Sequence, residues 1–99
     1  MANNGGKEKL IRAGLALARK QGYRLVSRDE IALTAKVAHG LITFHFRDMD
    51  GMRAAIVERA IKNECWPVMA EALVARHPGM RKLDREVHDR LIGYIASLT

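Results

Sequence analysis

A chain of 99 residues, 48% of them apolar, is one domain's worth of sequence, with material for one modest core and not for two. No run of about 18 apolar residues occurs to span a membrane, and the polar, glycine-rich start Met1–Gly6 lacks the apolar core of a signal peptide, so a cytoplasmic protein is expected. The net charge of +6 is uneven, with eleven Lys/Arg against six Asp/Glu in residues 1–60 and six against five in residues 61–99, so the N-terminal half attracts polyanions or simply carries a solubilising surface.

Residues 1–6 are expected to form a flexible tail. The first helix is predicted over Lys7–Gln21, with Leu10, Gly14, Leu17 and Ala18 on one face and Ile11 and Leu15 beside them. Gly22 is placed to end it in the left-handed conformation. Ser27, with Glu30 three residues later, makes a capping-box pattern for a short helix over Arg28–Lys36, whose apolar side is Ile31, Ala32 and Ala35. Val37 lies in a tight connection to a third short helix over Ala38–His45, with Ile42 and Phe46 turned inward. Two short helices joined by so few residues give a helix-turn-helix. Asp48 is the expected N-cap of a fourth helix carrying Met52, Ala55, Ile56, Arg59 and Ala60, which runs past Trp66 and bends or restarts at Pro67. Apolar positions resume at Met69, Ala72, Leu73 and Ala75, and His77-Pro78-Gly79 is a clear break. The last helix is predicted over Met80–Ser97, with an apolar stripe of Leu83, Val87, Leu91, Ile95 and Leu98.

The stretch from Leu10 to Ile56 resembles the DNA-binding domain of TetR-family transcriptional regulators. The resemblance is carried by the apolar first helix, Gly22-Tyr23, Ser27, Ile31-Ala32, Ala35, Val37, Gly40-Leu41-Ile42, Phe44-His45-Phe46 and Asp48-Met49-Asp50, in order and without a gap. The chain reads as helical throughout, so the expected fold is all-α: a TetR-like three-helix headpiece over residues 7–60 followed by two or three helices over 61–99 for core closure and dimerisation. The resemblance makes the third helix the recognition helix, a rod thin enough for a major groove about 12 Å wide.

Carried over residue by residue, the resemblance makes His39, Leu41 and Thr43 the base-facing candidates, with Phe44 and His45 near the groove wall and His45 directed to a phosphate. Arg28 opens the second helix toward a phosphate or a guanine, and the helix starts at Ser27 and Asp48 offer backbone N–H groups to phosphates. Gly40 reads equally as a close backbone approach to DNA and as a tight inter-helix turn. Two positions depart from the family pattern: Thr43 stands where a tyrosine is usual and Met49 where a lysine is common, and each change removes a phosphate contact. Arg47 and Arg53 are near enough to compensate, and also read as solvated surface.

Other chemistry finds little support in the sequence. His39, His45, His77 and His88 show no ligand spacing, so no metal is expected, and no phosphate loop, nucleophile motif or apolar carboxylate pair points to an enzyme or a cofactor. The lone Cys65 agrees with a reducing compartment. Residues 61–99 are too few to enclose a sizeable small-molecule site, so an inducer is not expected. Their stripe, Leu83, Val87, Leu91 and Ile95 with Leu98, either closes the monomer core or forms a homodimer interface, and a mixture is favoured. The resulting expectation is a dimeric, sequence-specific DNA-binding regulator, a repressor acting at a palindromic operator on double-stranded DNA. The alternative is a helix-turn-helix-shaped interaction module that modulates another regulator without binding DNA specifically.

Overall fold

Six α-helices and one 3-10 turn account for the secondary structure of the computed structural model, which describes residues 2–98 and contains no strand among them. Met1, from the expected tail, and Thr99, from the expected C-terminal region, lie outside the described residues. The elements are α1 (Ala2–Gln21), α2 (Arg28–Ala35), α3 (Gly40–Phe46), α4 (Met49–Lys62), α5 (Trp66–Val74), the 3-10 turn (Pro78–Lys82) and α6 (Arg85–Ser97).

Two helix starts carry the caps that the sequence shows. Ser27 caps α2 with the reciprocal pair expected of it: its hydroxyl accepts from the Glu30 amide at 3.1 Å, and its own amide donates to the Glu30 carboxylate at 3.1 Å. Asp48 caps α4 by accepting from the Gly51 amide at 2.8 Å. α1 differs at its start, because it begins at Ala2 rather than at Lys7. A Cβ at Gly6 would lie 3.3 Å from the Leu41 side chain, so α3 backs this end of α1. Tertiary packing of this kind supports helix where local propensity does not.

The stops account for the other differences. α2, α4 and α5 all close with the same pair of bonds. In α2 the Lys36 amide reaches the Leu33 carbonyl and the Val37 amide reaches Ala32. In α4 the Glu64 amide reaches Ile61 and the Cys65 amide reaches Ala60. In α5 the Arg76 amide reaches Leu73 and the His77 amide reaches Ala72. The turning residues Lys36, Glu64 and Arg76 have φ of 60°, 52° and 60°, the left-handed conformation of a Schellman closure that glycine usually takes. The expected run of one helix past Trp66 is therefore two helices. Pro67 lies in the first turn of α5, where a missing N–H leaves no bond unmade. The last helix starts at Arg85 instead of Met80, because Met80 is buried and anchors the 3-10 turn, leaving Leu83 extended.

One continuous core runs the length of the molecule. Leu10, Ile31, Ile42, Met52 and Ile56 fill the headpiece, and Val57, Val68, Met69, Ala72 and Leu91 continue it through α4, α5 and α6. Gly51, in the first turn of α4, is pressed against the Phe46 carbonyl so closely that a Cβ there would collide with it. Polar ties join the two halves. Glu71 of α5 accepts from the Tyr23 amide at 2.7 Å and from the Arg24 guanidinium at 3.1 Å, bracing the turn made by Gly22 at φ 93°. Arg59 of α4 grips Glu8 of α1 through two hydrogen bonds of 2.7 and 2.9 Å. Leu91 is fully buried within this chain, while Leu83, Val87 and Ile95 are half-buried against the core, so most of the C-terminal stripe closes the monomer. Ile92 and Leu98 are the large apolar side chains that α6 and its C-cap leave exposed.

Candidate nucleic-acid interface

α3 spans about two turns and is anchored by Ile42, fully buried, and Phe46, 7% exposed. Its amphipathic pattern leaves Gly40, Thr43 and Phe44 exposed, with His39 before it and Arg47 after it. Phe44 is the extreme case: it is 78% exposed, and its ring meets the His45 ring edge-on at 5.0 Å. Thr43 shares that outer surface, and its carbonyl accepts from the amide of Arg47, a cap residue at φ 76°.

The remaining expected contacts divide by orientation. Arg28 is exposed at the start of α2 and has no ion pair among the described residues. The Ser27 hydroxyl is occupied as an acceptor in its cap, though the residue is exposed. His39 is exposed, with Nδ1 3.5 Å from the Asp29 carboxylate, an ion pair only when the imidazole is protonated. Leu41, expected to face outward, leans on Gly6 and is half-buried. His45 is also half-buried, between the Phe44 and Phe46 rings. At Gly40 the backbone does not need glycine, since φ is not positive and a Cβ would meet nothing within 4 Å. A tight turn at Gly40 therefore does not require glycine.

Arg53 departs furthest from expectation. Instead of reaching outward, its Nη2 donates to the Val26 carbonyl at 3.2 Å. Its Nε is buried without a hydrogen-bond partner among the described residues, and Nη1 lies 3.9 Å from Asp50, beyond hydrogen-bond range. Lys36, outside the expected contacts, is a further exposed cation in the turn between α2 and α3. Its signal was available, since it is the sole basic residue between Arg28 and His39. Arg28, Lys36 and Arg47 thus give the motif three exposed cations, set against the exposed carboxylates of Asp29, Glu30 and Asp48.

Residues 10–56 of the chain match the family model described as bacterial regulatory proteins, tetR family. This segment is a TetR-family helix-turn-helix domain. The match begins at Leu10 in α1 and ends at Ile56 in α4, so it covers the cap of α2, all of α3 and the start of α4. No curated protein and no solved structure matched the chain. The residues that α3 exposes, Gly40, Thr43 and Phe44, all lie within the matched segment. No helix among the described residues is long and apolar enough to cross a membrane, and no three of their His, Cys, Asp and Glu side chains come together as a metal site.

Proposed function

We propose that this chain is a transcriptional regulator that binds DNA sequence-specifically as a homodimer and represses by occupying a palindromic operator. The observation that carries this reading is the state of α3 in the TetR-type domain: held by Ile42 and Phe46, it presents Gly40, Thr43 and Phe44 to solvent. In the major groove a threonine hydroxyl reads a base edge and an apolar ring contacts a thymine methyl. Arg28, Lys36 and Arg47 supply charge for phosphates, and Ser27 and Asp48 begin helices whose N–H groups do the same. His39 joins them when it leaves Asp29. For the dimer contact, the apolar surface that α6 and its C-cap leave is Ile92 and Leu98 with half-buried Ile95, because Leu91 is used inside the chain.

The test is selection of bound sequences from random duplex DNA by the purified protein at near-physiological salt. An enriched inverted repeat is the expected result. Absence of enrichment from folded protein favours the second reading, a protein-interaction module, for which the specific support is the exposed Leu33 of α2 beside the carboxylates of Asp29 and Glu30.

A further inference from the structure

A cleft of about 1170 Å³ opens between α1, α4 and the 3-10 turn. It does not depend on residues 61–99 alone to enclose it, since α1 and α4 form much of its wall. Its lining has an apolar part, including Ile11, Ala55, Ile61, Pro78 and Leu83. Tyr23 and His77 form one aromatic wall, their rings edge-on at 5.8 Å.

The charges in the cleft are unbalanced. Lys7, Arg53, Arg59 and Lys82 line it against Asp50 and Glu58. Arg59 is already matched by Glu8, but Arg53 is not matched by anything comparable. One of its nitrogens is bonded to a backbone carbonyl, one is buried without a partner among the described residues, and one faces the fully solvated Asp50 carboxylate at 3.9 Å. A partly buried guanidinium with donors to spare favours a carboxylate, which it can meet with two N–H groups. His77 also lines the cleft, and its Nδ1 accepts from the Gly79 amide at 3.0 Å, which puts the proton of the neutral ring on Nε2.

We infer that this cleft is a binding site for small aromatic or aliphatic carboxylic acids, with the carboxylate on Arg53 and the apolar body against Ile11, Ala55 and Leu83. A bare inorganic anion leaves the apolar lining unused, and a dianion meets Asp50 and Glu58; a monocarboxylate with an apolar body suits both. Arg53 also holds Val26, the residue before the Ser27 cap of α2, so an occupant of the cleft touches the side chain that fixes the entry to the helix-turn-helix.

The test needs no DNA, so its outcome is separate from that of the operator selection. Phenylacetate, phenylacetamide and inorganic phosphate are titrated at constant ionic strength into the ¹⁵N-labelled full chain, and amide shifts are followed by NMR. The expected result is saturable movement of the Tyr23, Arg53, Ala54 and Gly79 amides with phenylacetate, at an affinity about tenfold or more above those for the amide and for phosphate. Arg53→Gln should remove that preference. Ala54→Trp, at an exposed lining position, should block binding while the remaining spectrum stays folded. No saturable shift at millimolar phenylacetate, equal binding of phenylacetamide or phosphate, or binding that survives Ala54→Trp would each overturn the inference.

Discussion

Ile42 and Thr43 are adjacent in sequence and opposite in fate, and the difference can be measured. Ile42 is fully buried between α3 and the headpiece core, so Ile42→Ala should destabilise the fold by roughly 2–5 kcal/mol, combining lost transfer energy with the cavity left behind. Thr43→Ala and His39→Ala alter exposed side chains; denaturant melts should move by less than about 0.5 kcal/mol, whereas operator titrations should show weakened or relaxed binding. Unchanged operator binding in both variants would remove them from the recognition face. Side-chain directions set by periodicity were legible in the sequence, as Ile42, Phe46 and the Ser27 cap illustrate. Directions set by a distant element were not. Leu41 turns inward because α1 extends to meet it at Gly6, and Arg53 turns inward because the Val26 carbonyl lies within its reach. Gly51 shows the same dependence: Gly51→Ala should destabilise by about 1–3 kcal/mol through overpacking, because the atom opposing the new methyl is the Phe46 backbone oxygen, which cannot rotate away.

Among the helices, the beginnings capped by Ser27 and Asp48 and the end of α1 at Gly22 were legible, whereas the starts of α1 and α6 and the end of α4 were not. A beginning is marked by side-chain chemistry, Ser27 with Glu30 or Asp48, which the sequence displays directly. An ending is usually marked by glycine, and at Lys36, Glu64 and Arg76 this chain instead forces a residue with a Cβ into the left-handed region. That choice costs stability and can be reversed. Arg76 is exposed and makes no ion pair among the described residues, so Arg76→Gly should stabilise the protein by about 0.5–1 kcal/mol, read as a higher midpoint in urea. The tie between α1 and α4 makes a different prediction, in pH. The Arg59 guanidinium holds the Glu8 carboxyl well below its ordinary value, at about 2, so the folded state binds this proton less readily than the unfolded chain does. The stabilisation is fully present above the unfolded value of 4.5 and is lost as pH falls through about 2. Melting temperatures of the wild type should therefore fall over this window more steeply than those of Glu8→Gln, with the two curves converging at the acid end.

For the whole molecule, the question is how much of α6 is left for a partner once it has closed its own core. The sequence stripe of Leu83, Val87, Leu91, Ile95 and Leu98 did not separate the two uses, because both demand apolar residues at helical spacing. The fold separates them in part: Leu91 is fully buried, Ile95 is half-buried, and Ile92 and Leu98 are 46% and 64% exposed. A second copy that covers this outer strip removes apolar surface from water without disturbing the core. In the proposed dimer it also carries a second copy of α3, which reading of a two-fold-symmetric DNA site would require. The double substitution Ile92→Glu with Leu98→Glu should therefore shift sedimentation from dimer to monomer and leave the thermal unfolding of each subunit cooperative. Binding to an inverted repeat should fall steeply, and what remains should match binding to a single half-site. Leu91→Ala is the necessary contrast, because it should destabilise the subunit itself by roughly 2–5 kcal/mol. A double variant that stays dimeric would place the contact between subunits elsewhere and leave α6 to the core of its own chain.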